Sequence, residues 1–379
     1  MPEIYLDNCS TTKPYPDVAK KIVKMLTEVY GNPSSLHRLG KESKMEIEIA
    51  RRIIAKSLGA ETNEIYFTSG GTESANLAIK GACLANSKRG NRIVTTAAEH
   101  PAVTKTIRDL KKQGWEATYI SAPHGELDLD EMEHAIDDKT VLVSAMLVNN
   151  ETGCIFPVNK VKEIIKRKQS PALLHCDAVQ AYGKLNFTAA SIGADLISVS
   201  AHKIHGPKGA GSLYVKKGTN MFTSILGGGQ ERGLRSGTEN TPAIAGFGEA
   251  VRITFSNSEK DILHMEKLRD YCIDAIREQI PSAVINSNNF GAPHIVNFSL
   301  PGFTNKKVVE FLDHRDIFIS SAAACKSNHS RGPSALESLG LSRELAESAL
   351  RVSFSHHNTK GEIDMLIEAL VDYYRQEKG

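Results

Sequence analysis

Long apolar runs are missing from this 379-residue chain, and the longest mostly apolar stretch, Val141 to Val148, is far too short to span a bilayer. The amino terminus, Met1-Pro2-Glu3-Ile4-Tyr5, shows no basic region followed by an apolar one, so no secretory signal is expected. An excess of one charge is missing too. Forty-six Lys+Arg face 44 Asp+Glu, and a formal net charge of +2 makes no electrostatic case for nucleic acid or an anionic membrane. Neither a Walker A loop nor a G-x-G-x-x-G after a strand is present, which argues against nucleotide and dinucleotide cofactors. The six cysteines (Cys9, Cys83, Cys154, Cys176, Cys272, Cys325) contain no C-x-x-C pair and no repeated spacing, so reduced thiols in a cytoplasmic protein are expected. His175-Cys176 and His356-His357 match no common zinc spacing, and no metal site is expected.

What is present reads as an α/β chain long enough for two domains. Asp17 to Tyr30 has helical spacing, with Val18, Ile22, Met25, Leu26 and Val29 on one side; Lys41 to Leu58 is a second helix with Met45, Ile49, Ala50, Ile53, Ile54 and Leu58 on a core-facing stripe. From Glu64 onward strands and helices alternate. The strands are Glu64 to Thr68, Arg92 to Thr96, Glu116 to Ile120, Val141 to Val148, Ala172 to Cys176 and Leu196 to Ser200, the signature of a mainly parallel sheet covered on both faces. Lys216 to Asn240 is turn-rich. Pro242 opens a long helical pattern running, with a bend, to about Ile280. Beyond it, strands (Ile295 to Ser299, Phe318 to Ser320) mix with helices (Lys306 to Asp313, Arg343 to Ala349, Lys360 to Tyr374). The expected division is 15–257 for a large domain, with 1–14 and 258–379 forming a small one.

Lys203 stands on the loop beyond the carboxyl end of Leu196 to Ser200, where ligands bind in open α/β sheets. With Ser200 and His202 beside it, this lysine suits an anionic cofactor and Schiff-base chemistry, although a surface lysine in a basic loop fits the same spacing. Asp177 ends another strand at the same edge; it is either a carboxylate for a protonated pyridine nitrogen or a helix cap. Ser69-Gly70-Gly71-Thr72 leads from a strand directly into a helix, and the unpaired N–H groups there favour a phosphate, though a plain Ser/Thr-Gly cap is a common use of the pattern. His100, before a helix, reads by itself as a cap or a surface residue. Cys325, in Ser320-Ser321-Ala322-Ala323-Ala324-Cys325-Lys326-Ser327-Asn328-His329-Ser330-Arg331, is flanked by small residues and followed by cations that favour thiolate; the alternative is an incidental loop cysteine.

Taken together, Tyr5-Leu6-Asp7-Asn8, Tyr30-Gly31-Asn32-Pro33-Ser34-Ser35, Thr68 to Ser74, Val148-Asn149-Asn150-Glu151, His175 to Gln180, Ser200-Ala201-His202-Lys203 and Gly227 to Thr238 resemble the class V aminotransferase branch of pyridoxal phosphate (PLP) enzymes, and within it the cysteine desulfurases of the NifS/IscS type. The resembling segments span nearly the whole chain in the family's order. The resemblance implies fold type I: a large domain with a mainly parallel seven-stranded sheet, helices on both faces, and a smaller α+β domain. It implies PLP covalently held by Lys203, stacked under His100, which is matched to ring positioning and catalytic proton transfer, its pyridine nitrogen on Asp177, its ring oxygen near Gln180 and Asn150. The phosphate goes to Gly71, Thr72, Ser200 and His202, and to Thr238 of the partner in a homodimer. Arg351, with Asn150, is matched to substrate carboxylate binding, a task for a planar guanidinium fork. Lys203 takes the Cα proton of L-cysteine and Cys325 takes the sulfur as a persulfide, leaving alanine; the sulfur then passes to an acceptor protein such as an iron-sulfur scaffold or a tRNA-thiolation protein. Selenocysteine lyase or a related PLP β-lyase is the alternative. Two departures stand out. Ala322-Ala323 replaces a Gly-containing pair before Ala-Cys, and Ser355 replaces the Gly common after the arginine motif.

Overall fold

The computed structural model describes residues 3–288, 290–321 and 335–378. In chain order its strands are β1 (Ile4–Tyr5), β2 (Ile65–Thr68), β3 (Arg92–Thr96), β4 (Glu116–Ile120), β5 (Thr140–Met146), β6 (Leu173–Asp177), β7 (Leu196–Ser200), β8 (Gly211–Val215), β9 (Val284–Ile285), β10 (Ile295–Ser299), β11 (Ile317–Phe318), β12 (Ser320–Ser321) and β13 (Ala349–Ser353). Seven form one sheet in the order β2-β8-β7-β6-β5-β3-β4. β3 to β7 run parallel, and β8 is antiparallel to both of its neighbours. β2 therefore runs in the same sense as β7, so six of the seven carboxyl ends lie along one edge.

Period-2 side-chain alternation divides these strands between two apolar clusters. Val94, Val143 and Ile197 pack into a cluster with Ile47, Ile54, Val161 and Phe247. Their sequence neighbours Ile93, Leu142 and Leu196 pack into another with Ala78, Ile79, Val103 and Ile107. Helices thus cover both faces, which is why β5, β7 and β8 are buried at every position. Burying each such side chain contributes about 1.5–3 kcal/mol.

A four-stranded antiparallel sheet, β12-β13-β10-β9, and the β1–β11 pair lie with a third cluster, in which Ile4, Leu6, Val296, Phe298, Leu350 and Val352 meet apolar residues of the helices Ser258–Gln279, Asn305–Asp313 and Lys360–Lys378. The long helical stretch breaks at Asn257, between Thr241–Ser256 and Ser258–Gln279.

Gly211–Val215, for which the sequence offers no assignment, is a strand inside the large sheet. Two local expectations are corrected. Ala349 begins β13 rather than ending a helix, because Arg343–Glu347 stops at Ser348. Met45 and Ile49, expected on a core stripe, are 56% and 38% exposed, as is Leu26 at 60%. On the helix Arg38–Leu58 the buried side runs through Ile47, Ala50, Ile54 and Leu58, and at about 100° per residue Met45 and Ile49 fall roughly opposite it. Ala50 sits so close to the helix Thr241–Ser256 that a Cβ on Gly248 would come within 2.7 Å of its own.

Candidate active site

Carboxyl ends of the parallel strands gather the expected residues. The strand order reverses between β3 and β5, the switch point at which open α/β sheets bind ligands. His100 follows β3 and Asn150 follows β5; Asp177 ends β6, Ser200 ends β7, and Lys203 closes the 3-10 turn Ala201–Lys203 directly after it. Gly71 opens the helix Gly71–Ala85 after β2.

Lys203 is turned inward. Its Nζ donates to the carbonyl oxygens of Cys9 and, at 2.9 Å, of Ser10. Burial pushes its pKa down, Arg351 adds to the effect, and Asp177 and Asp7 oppose it. Asp177 is fully desolvated, which raises its carboxyl above the usual range; nearby His100 and Lys203 and a bond from the Val179 N–H at 3.0 Å pull the other way. His100 caps the helix Pro101–Lys111, its Nδ1 accepting from Ala102 N at 3.1 Å, and burial pushes it towards the neutral form. Behind it Glu99, raised to about 8 by burial, accepts from Thr96 and from the Met146 N–H. Gln180 Nε2 donates to Cys9 O at 3.0 Å. His202 is lowered to about 4 by burial and by the adjacent lysines, and its Nδ1 lies 3.3 Å from Thr11 Oγ1.

Arg351, on β13, reaches the same place from the smaller sheet. One guanidinium nitrogen donates to the Asn150 carbonyl at 2.8 Å and another to Asp7 Oδ1 at 3.1 Å and Ser10 Oγ at 2.9 Å. Glu151 lies 3.6 Å away, and its own carboxyl is raised by burial against the pull of Arg351. The Arg351 Nε is buried with no partner.

Thr72, next to Gly71 at the helix start, is exposed; Thr238 is exposed too, and lines a separate surface cleft with Leu26, Tyr30 and Pro242. Cys325, with Ala322, Ala323, Lys326, His329 and Arg331, lies outside the described residues. Cys9, Ser10, Asp7 and Glu151 were not singled out for roles by sequence reasoning. The Asp7 to Pro16 loop carries no periodicity, and its bonds to Lys203 and Arg351 join residues too far apart in the chain for any local pattern to report.

The fold and site define an α/β protein with a buried carboxylate and a half-buried lysine and histidine at the ligand edge of its sheet. The chain belongs to the aminotransferase class-V family, which it matches over residues 4–366. It is 39% identical over 380 residues to the cysteine desulfurase IscS of Clostridium botulinum, covering 99% of this chain and 95% of that one. A NifS-like protein of known structure superposes with a TM-score of 0.93 at 36% identity, covering 98% of this chain and 99% of that chain. SspA, solved in complex with cysteine, superposes with a TM-score of 0.79 at 29% identity, covering 94% of this chain and all of that chain.

PLP is the cofactor this family implies, and the residues present fit it. The Ser200 hydroxyl is buried without a partner, beside a helix start whose first N–H groups have no intrahelical acceptor. The lead-in is bare of side chains for a steric reason. A Cβ on Gly71 would lie 2.6 Å from Val179, and Gly70 takes φ +152°, a conformation that side chains rarely adopt. An anion therefore finds donors and no side-chain obstruction there, while the buried carboxylate of Asp177 suits a cationic group elsewhere on the same ligand.

Among the described residues, no helix is long and apolar enough to cross a membrane.

Proposed function

We propose that this protein is a cysteine desulfurase, which removes sulfur from L-cysteine, releases L-alanine and keeps the sulfur as a persulfide on Cys325 for an acceptor protein. The observation that carries the reading is the meeting of Lys203, Asp177 and His100 with Arg351 around the Cys9–Ser10 backbone. When bound, PLP supplies an electron sink for the charge that develops at the substrate Cα.

The chain's own residues divide the remaining work. Lys203 would hold the cofactor through Nζ at rest and, with Nζ free again when substrate is bound, would take the Cα proton, its proton affinity reduced by burial. Asp177 is stabilised as a carboxylate once a cation faces it. His100 and Gln180 position the ring, while Gly71, Thr72, Ser200 and His202 grip the phosphate. Arg351 and Asn150 orient the substrate carboxylate, the guanidinium exchanging Asp7 and Ser10 for a planar bidentate partner. Cys325 then breaks the substrate C–S bond by forming an S–S bond, and the organic fragment leaves as alanine.

The working unit is a homodimer in a reducing, cytoplasmic compartment. Leu26, Tyr30, Leu36 and Met45 are 60%, 67%, 88% and 56% exposed, large apolar side chains of a kind that a second copy covers. Thr238, in the cleft beside Leu26 and Tyr30, then reaches the partner's phosphate site. The division into 15–257 and 1–14 with 258–379 follows the break at Asn257 and the separate apolar cluster of the smaller sheet. An iron-sulfur scaffold or a tRNA-thiolation protein is the class of acceptor.

The test is direct. Holoenzyme incubated with L-cysteine yields alanine matched by the sulfide that an added thiol reductant releases, and without that reductant mass spectrometry finds the added sulfur on the Cys325 peptide. Alanine without sulfur on that peptide would refute the assignment of Cys325.

A further inference from the structure

We propose that His205, His356 and His357 form a binding site for a divalent late transition-metal ion, zinc being the natural probe, that ties the Lys203 turn to the segment following Arg351. One ligand nitrogen from each of the three rings lies within 4.8 Å of the others. His356 and His357 are adjacent in sequence but their rings converge, with centroids 3.8 Å apart, and the His205 ring stands 4.7 Å from His356 and 5.8 Å from His357.

His205 supplies the second, independent observation. It is 2% exposed, and its Nδ1 donates to the carbonyl of Lys13 at 2.8 Å. That bond fixes the proton on Nδ1 and leaves the Nε2 lone pair free. Nε2 is buried and has no hydrogen-bond partner. An imidazole oriented by a backbone carbonyl through one nitrogen, with the other left open, is the arrangement seen in metal-binding histidines. A buried acceptor without a partner otherwise costs about 1–3 kcal/mol, so a ligand there offsets a real penalty.

The chemistry of the donor set selects the ion. Neutral imidazoles suit zinc and its late transition-metal neighbours rather than calcium or magnesium. Burial and neighbouring cations lower His205 to about 2 and His356 to about 4, so both present lone pairs at neutral pH. His356 is half-buried and His357 exposed, which leaves an entry path and room for a water as fourth ligand. Zn–N bonds of about 2.0–2.1 Å require nitrogens roughly 3.4 Å apart, so the two outer rings must turn inward. Tyr15 walls the cluster, its ring 4.7 Å from His205 and 5.3 Å from His356. Lys184, buried and lowered to about 8, is the nearby cation that the ion must tolerate; Asp261 is the acid within electrostatic reach of both His357 and Lys184. Spacing in the sequence hides such a site, because His205 follows β7 of the large sheet and His356 and His357 follow β13 of the smaller one.

Untagged holoenzyme and its Cys325→Ser variant, both stripped with a chelator, should each take up one zinc per chain in equilibrium dialysis. X-ray absorption at the zinc edge should show a nitrogen and oxygen shell without sulfur. His357→Ala, an exposed change that leaves the fold intact, and His356→Ala should each weaken binding by at least the ~10–100-fold that losing even an outer partner of a metal ligand costs. Saturating zinc should also raise the thermal midpoint by a few degrees in the parent and not in His357→Ala. No bound zinc, sulfur in the first shell, or unchanged affinity in both histidine variants would overturn the site.

Discussion

The ammonium of Lys203 and the side-chain amide of Gln180 donate to one and the same acceptor, the main-chain carbonyl of Cys9. A loop from the start of the chain thereby keeps the lysine folded inward over the sheet edge, and a carbonyl cofactor has to draw it away from that oxygen.

Removing the amine should therefore remove the cofactor. Lys203→Ala is expected to purify without the visible absorbance of bound PLP, to give no borohydride-reducible lysine adduct and to lose at least ~10²–10⁴-fold in turnover. A retained adduct on another lysine would reassign the residue.

Cys325→Ser should keep the coloured cofactor and fail to release sulfide from cysteine. Absorbance spectra and a sulfide assay separate the two properties, and undiminished sulfide release would show that a different group accepts the sulfur.

Arg351 makes several charge-assisted bonds at 2.8–3.1 Å, so Arg351→Lys removes a geometry as well as part of a bond set. The KM for cysteine should rise ~10–150-fold, the worth of one charged hydrogen bond, with a smaller change in kcat. Truncation to alanine should in addition lower thermal stability, because the buried carboxylates of Asp7 and Glu151 lose their cation.

A pH dependence of stability follows from His175. Its ring lies in the sheet between Ser144 Oγ at 2.8 Å and Ser198 Oγ at 2.9 Å, and burial lowers its pKa from 6.5 to about 3. The unfolded chain binds a proton there that the folded one refuses. Its stabilisation is complete above pH 6.5 and falls as the pH drops towards 3, with a slope approaching ~1.4 kcal/mol per pH unit. Chemical denaturation of His175→Gln across that window should show a slope smaller by about one proton; an identical slope would mean that the ring is protonated in the folded state.

Leu26→Glu places a charge among the exposed apolar side chains beside Thr238. Sedimentation should shift from dimer to monomer, and PLP should bind more weakly through loss of the partner's Thr238. A stable dimer with unchanged PLP affinity would place the contact between copies elsewhere.

Strand positions were legible wherever a short branched apolar run ended at a turn signal. Arg92–Thr96, Glu116–Ile120 and Leu196–Ser200 agree to the residue with the reading of the sequence. β8 was not legible, because Gly211-Ser212-Leu213-Tyr214-Val215 emerges from a Gly/Pro cluster and returns antiparallel without a crossover helix to announce it. The apolar stripe of Arg38–Leu58 was legible as amphipathic, but a lone helix cannot say which of two apolar flanks meets its neighbour; Ala50 against Gly248 decided it. Lys203 and Asp177 were singled out from their places after strands, whereas His100 gained a role only through the family resemblance. The Asp7–Arg351 pair was not, since each residue's neighbours in sequence are silent about the other.

Glu231 has a bearing on how two copies could come together. Its carboxylate is gripped by both terminal nitrogens of Arg51 and by the Phe67 amide, each at 2.8 Å, within a single chain. The stretch leading on to Thr238 is thus shaped before any second copy arrives, so encounter joins two rigid, ready-made surfaces rather than ordering a tail as it lands. Association should accordingly release little heat from coupled folding, and its rate should be limited by mutual orientation.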